Sequence, residues 1–191
     1  IMMGIEFLED VPFKEVYVHG LVKDAHGNKM SKSKGNIIDP IDLIDGIDID
    51  SLLIKRSSDL MQPEMAEKIR KNTKKDYPNG IEAYGTDALR FTFSSLATSN
   101  RDINFDLKKL EGNRNFCNKI WNAARYIKLL KDEYKVTSIK NPEYDDTDVW
   151  IYKRLNNLIT SLRTNYEKYR FDFASKDLYC LLYTSDAADE E

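Results

Sequence analysis

Apolar residues open the chain. Ile1, Met2, Met3, Ile5, Phe7 and Leu8 run on with no cap or turn before them, which predicts a helix already under way over residues 1–9 and a chain that starts inside a longer one. Residues 14–22 alternate β-branched and aromatic positions with polar ones, the pattern of a half-buried strand, and Asp24-Ala25-His26-Gly27-Asn28 follows as a turn. A polar loop then extends to Asn36. Asp39-Pro40 joins a helix cap to a proline at the first helical position, predicting a short helix over 40–44 that ends near Gly46. Short helical pieces and loops come next. Good helix formers fill 64–75 up to the breaker Tyr77-Pro78-Asn79-Gly80, and Gly85-Thr86 introduces a helix over about 86–97.

Beyond Ile103-Asn104-Phe105 no strand signal follows, and apolar residues recur at helical spacing, which places a domain boundary near residue 107. Phe116, Ile120, Ala123, Ala124, Ile127 and Leu130 form the stripe of one long helix. Ile151, Leu155, Leu158, Ile159, Leu162 and Tyr166 form that of a second, so an antiparallel pair is expected. The connection, 132–146, holds Asn141-Pro142 and a cluster of acids, and a third helix begins at Phe171. Trp121, Trp150 and Cys117 are read as core residues.

A length of 191 residues suffices for a core, and 41% hydrophobic with 32% charged residues excludes a disordered polar chain. No apolar run reaches the roughly 18 residues that span a bilayer. Two cysteines, Cys117 and Cys180, build no disulfide framework, and no CxxC or HExxH arrangement is present to hold zinc. A reducing cytoplasmic setting and the absence of a protein-bound metal are the resulting expectations.

Residues 180–191 stand apart. Cys180-Leu181-Leu182-Tyr183-Thr184-Ser185 and the acidic residues after it resemble the in-frame translation of a sequencing-library adapter, and 180–191 is read as a non-native tail. It carries four acids and no base, so without it the formal charge moves from −3 to +1.

The sharpest chemistry lies in Gly27-Asn28-Lys29-Met30-Ser31-Lys32-Ser33-Lys34-Gly35-Asn36. Lysine ammonium groups follow a moving phosphate, serine hydroxyls add donors, and flanking glycines let the segment close and open. Polyphosphate is the natural guest. Neither the Walker order nor GxGxxG is present, and on composition alone a solvated basic loop is the favoured reading, with a localisation-type basic patch as another. His19 either lines a nucleotide pocket or is a buried strand histidine, while His26 in its turn reads as surface. Asp87 and Arg90, three apart on a helix, suit an internal ion pair.

Lys29-Met30-Ser31-Lys32-Ser33 is, letter for letter, the KMSKS signature of class I aminoacyl-tRNA synthetases. Val18-His19-Gly20-Leu21-Val22, Gly85-Thr86-Asp87-Ala88-Leu89-Arg90-Phe91, Arg101-Asp102-Ile103-Asn104-Phe105-Asp106 and Arg114-Asn115-Phe116-Cys117-Asn118-Lys119-Ile120-Trp121-Asn122-Ala123 extend the match. Over residues 1–179 the chain resembles this family, and within its valine, isoleucine and leucine subgroup it is most similar to the valine enzymes.

The resemblance implies an α/β remnant followed by a mostly α-helical bundle. Residues 1–106 would be the C-terminal part of a Rossmann-like catalytic domain with a connecting α-rich segment, and 107–179 the start of an anticodon-binding domain. It implies valine, ATP with Mg²⁺, and tRNA(Val) as partners, and neither DNA nor a membrane. Lys32 and Lys29 would act catalytically on ATP phosphates, with Met30, Ser31, Ser33 and His19 as nucleotide-site residues. Residues 108–135 carry a net +5 and 153–176 a net +4, and the resemblance turns Arg114, Lys119 and Arg125 into expected tRNA contacts. The HIGH signature, valine pocket and editing domain are expected outside this chain, which would be inactive alone. An isoleucine enzyme and a non-catalytic tRNA-binding helical module are the alternatives.

Overall fold

The computed structural model describes residues 1–31, 34–58, 60, 63–98, 102–135 and 143–186, with side chains described through Thr184. Among these residues the chain forms eight α-helices and a two-stranded sheet. The order is α1 (Met2–Leu8), β1 (Val22–Lys23), α2 (Pro40–Asp45), α3 (Ile49–Ser57), α4 (Ala66–Asp76), α5 (Thr86–Leu96), β2 (Ile103–Asn104), α6 (Leu107–Glu133), α7 (Asp146–Glu167) and α8 (Phe171–Asp186). A 3₁₀ turn, Pro63–Met65, leads into α4.

Helix starts follow local chemistry. Aspartates at 39, 48, 106 and 145 each accept a backbone N–H from the first turn, satisfying donors that the helix itself leaves open. Asp145 and Asp148 do so reciprocally. Gly46, at φ 79°, ends α2 where the sequence placed the stop.

β1 and β2 run parallel, with Val22 opposite Ile103, and Ile103 N–H donates to the Leu21 carbonyl at 2.8 Å. The Lys23 ammonium meets the Asp102 carboxylate at 2.6 Å alongside. Against this pair lies a core of Leu43, Leu52, Ile81, Ala88, Leu89, Phe105 and Leu110. Leu110 belongs to α6, so the first turns of the long helix share the core of the segment before it. Thr92 on α5 is fully buried; its hydroxyl donates to the Ala88 carbonyl at 2.7 Å and accepts from Asn113 of α6 at 2.8 Å.

Several sequence expectations are corrected. The strand expected over 14–22 is strand only at its end, and Val16 and Val18 are exposed, because a ladder needs a partner and β2 meets only residues 21–23. The antiparallel pairing of α6 with α7 is not a major contact among the described residues: α7 packs on α8, while α5 packs on both α6 and α8. Tyr169, with φ at 55°, and the Arg170 N–H bonded to the Asn165 carbonyl turn the chain back so that α8 lies along α7. Phe116 and Leu158 are buried as expected, whereas Ile120, Ile127, Leu155 and Ile159 of the same stripes are exposed. Trp121, 71% exposed, and Trp150 are surface residues, not core anchors. No ion pair joins Asp87 and Arg90 among the described residues.

The helix begun at Phe171 continues through Asp186, past the boundary expected at residue 179. Its Tyr179 packs against Phe116 with ring centroids 5.0 Å apart. Residues 14–17 dock on the α7–α8 turn, where Tyr17 faces Tyr169 and Phe171 and the Tyr169 hydroxyl donates to Glu15.

Candidate functional site

The lysine–serine loop leaves β1 through a turn that Asp24 organises. Its carboxylate accepts the N–H of Asn28 at 2.7 Å and of His26 at 3.1 Å, the arrangement that a short acidic side chain makes with its own following backbone. A two-residue antiparallel bridge between Lys23 and Lys29 closes the turn. His26 is exposed, as expected.

From Lys29 the loop runs to Asn36, and one side chain joins its two ends. The Asn36 carboxamide oxygen accepts the Ser31 N–H at 2.9 Å, and its NH₂ donates to Asp24 Oδ2 at 2.9 Å and to the Lys29 carbonyl at 3.2 Å. Burial opposes ionisation of Asp24, but the hydrogen bonds from Asn36, Asn28 and His26 outweigh it and hold its carboxyl below the usual carboxylate value. Met30 packs against the main core, so the loop is pinned at its N-terminal end by an apolar side chain and at its base by an amide.

Helices α2 to α4 form the wall behind. Lys55 of α3 reaches Asp39 at 2.7 Å and Asp42 at 2.8 Å, tying α3 to the start of α2; the hydrogen bonds to Asp39 and then Asp42 raise the Lys55 ammonium above its ordinary value. A cavity of about 530 Å³ lies between the loop and α4 beside their contact at Gly35 and Ile69, lined by Asp24, Lys34 and Asn36 from the loop side and by Arg56, Lys68, Lys75 and Asp76 from the helices. Arg56 donates to the Thr73 hydroxyl at 3.3 Å, lies over the Tyr77 ring, and keeps its Nε buried without a partner. Burial lowers its guanidinium from the usual arginine range. Arg56, Lys68 and Lys75 against Asp76 leave the helix side of the cavity with a net positive charge, suited to a polyanion.

Of the residues expected at a nucleotide site, Lys29, Met30 and Ser31 sit together on this base, and Lys32 and Ser33 lie outside the described residues. His19 is exposed on irregular backbone, its Nδ1 2.8 Å from the Gly20 carbonyl, which removes the buried-strand reading. Asp24 and Asn36 were given no role from the sequence; the Asx-type turn Asp24-x-x-Gly27-Asn28 was a legible signal for the first, whereas nothing local marks the second. Arg114, Lys119 and Arg125 are all on α6. The Arg114 guanidinium rests over the Tyr84 ring and reaches Glu82 and the Ala83 carbonyl at 3.4 Å each, the Lys119 ammonium lies 4.5 Å from the Tyr183 ring centre, and Arg125 is exposed.

Among the described residues no group of three or more His, Cys, Asp or Glu side chains is placed to hold a metal ion, and no helix is long and apolar enough to cross a membrane. A family model of class I tRNA synthetases (I, L, M and V) matches residues 1–106. The chain belongs to this family. It is 49% identical, over 97% of its own length, to a valine–tRNA ligase of Francisella tularensis, and 51% identical, over 94%, to valine–tRNA ligases of Legionella pneumophila strain Paris and Coxiella burnetii. It spans about a fifth of the length of these relatives, 20% of each. No solved structure matches this chain.

Proposed function

We propose that the chain is a segment of a valine–tRNA ligase, in which ATP activates valine to valyl-adenylate and the valyl group then passes to tRNA(Val). The observation that carries this reading is identity near one half to valine–tRNA ligases along 94–97% of the chain. Residues 1–106 are then the C-terminal part of a Rossmann-like catalytic domain, to which the parallel pair β1–β2 belongs. Residues 107–179 begin an anticodon-binding bundle, and 180–191 are a non-native tail. The setting is cytoplasmic.

The chemistry follows from charge. The valine carboxylate is already ionised when it attacks the α-phosphate of ATP, so no protein base is required. Negative charge grows on the departing pyrophosphate, and cations that meet it only at that stage stabilise the transition state more than the ground state. Lys32 and Lys29 take that role, with Ser31 and Ser33 as loop donors. His19 serves the nucleotide site, and Mg²⁺ arrives bound to the ATP phosphates as part of the substrate. The cationic wall of Arg56, Lys68 and Lys75 favours the same polyanion.

The test is valine-dependent exchange of pyrophosphate into ATP by the full-length enzyme that contains this chain. Exchange with valine, weaker with isoleucine, is the expected result. Preference for isoleucine assigns the chain to the isoleucine enzymes instead, and no exchange with either favours a tRNA-binding helical module. Lys32→Ala should slow exchange by about 100-fold or more with valine binding held within about twofold, and an unchanged rate would remove the role given to Lys32.

A further inference from the structure

Asn36 stands outside the lysine–serine motif, yet its side chain spends all its described hydrogen bonds on the loop base. One end accepts from Ser31 N–H; the other donates to Asp24 and to the carbonyl of Lys29. Only a carboxamide offers an acceptor and two donors at once, so an aspartate there would face the Asp24 carboxylate and the Lys29 carbonyl with acceptors alone. Asp24 is in turn held by two backbone N–H groups of its own turn. The bonds form one continuous run, from the turn through Asp24 and Asn36 to the backbone of Lys29 and Ser31.

We propose that Asn36, braced by Asp24, is a positioning residue that fixes the backbone of Lys29 at the base of the loop, and thereby governs the rate of adenylate formation. This rests on the reading that the loop acts on ATP phosphates. The clasp grips the backbone of Lys29 and leaves its side chain exposed, so it orients the cation without spending the cation's own hydrogen bonds. A reacting group held by its supports loses on the order of 100-fold in rate for a displacement of about 1 Å, which makes the clasp visible in kcat. Met30, anchored in the core on the next residue, supplies the fixed point against which the clasp works.

Four full-length variants test it: Asn36→Ala, Asn36→Asp, Asp24→Asn, and the exchanged pair Asp24→Asn with Asn36→Asp. Each single change should lower kcat for valine-dependent pyrophosphate exchange by about 10- to 100-fold, with KM for valine within about twofold. Transfer of valine from preformed adenylate to tRNA should also stay within about twofold, which separates positioning from loss of fold. The exchanged pair restores a donor opposite an acceptor and should recover about tenfold over Asn36→Asp alone. Full activity of Asn36→Ala, or an exchanged pair no better than the single variant, overturns the positioning role alone. A wild-type enzyme without exchange overturns the reading of the loop and the positioning role with it.

Discussion

Gly35 lies so close to Ile69 of α4 that a Cβ on it would sit 2.6 Å from the Ile69 Cδ1 and Cγ2 atoms. Its φ of +61° is also in the left-handed region, which favours glycine. The C-terminal end of the lysine–serine loop is thus wedged against a buried side chain, 4% exposed, one residue before the clasp at Asn36. Gly35→Ala should lower stability by about 2–4 kcal/mol, combining backbone strain with overpacking. Ile69→Ala removes the clashing atoms, so in urea denaturation the double variant should cost clearly less than the two single costs added. Additive costs would show that the contact does not couple the two positions.

Asp24 predicts an acid limit for the same region. Its folded carboxyl titrates below the unfolded value of about 3.9, so its stabilisation is complete above that value and is lost as pH falls through the folded one. Between about pH 5 and pH 2 the urea midpoint of the wild-type protein should therefore fall more steeply than that of Asp24→Asn. Parallel curves would mean that the clasp does not depend on the charge.

Phe116 and Ile120 share a predicted stripe but not an environment. Phe116 is fully buried against Phe91 at 5.0 Å and Tyr179 at 5.0 Å, joining α5, α6 and α8, whereas Ile120 reaches solvent. Phe116→Ala should cost about 3–5 kcal/mol and Ile120→Ala under about 1 kcal/mol, read from chemical denaturation. Similar costs would mean that the two positions are packed alike.

Arg125 is exposed, whereas Arg114 rests on the Tyr84 ring, so the two are expected to differ in their effect on tRNA binding. Arg125→Ala in the full-length enzyme should weaken tRNA binding and reduce its salt slope by about 1. Arg114 is committed to the Tyr84 ring and to Glu82, which is 79% exposed, so that pair contributes under about 1 kcal/mol to stability. Arg114→Ala should leave the salt slope nearly unchanged. A slope altered by Arg114→Ala and not by Arg125→Ala would reverse the two assignments.

The residues by themselves determined what depends on near neighbours. Asp39-Pro40 and Gly46 marked both ends of α2 and Gly85-Thr86 the start of α5, because a helix end and the residues that signal it lie within a few positions. The cluster of cations and donors proposed to meet a polyanion was legible for the same reason: its members are consecutive in the chain. Contacts across sequence distance were decided only by the tertiary structure. Alternation over 14–22 could not reveal that only residues 21–23 would find β2, about eighty positions away, and helical spacing could not reveal that α7 would turn at Tyr169 onto α8 instead of α6. Asn36 gripping Asp24 and Gly35 meeting Ile69 belong to that second kind, since a hydrogen bond or a steric limit between distant residues exists only once the chain has brought them together.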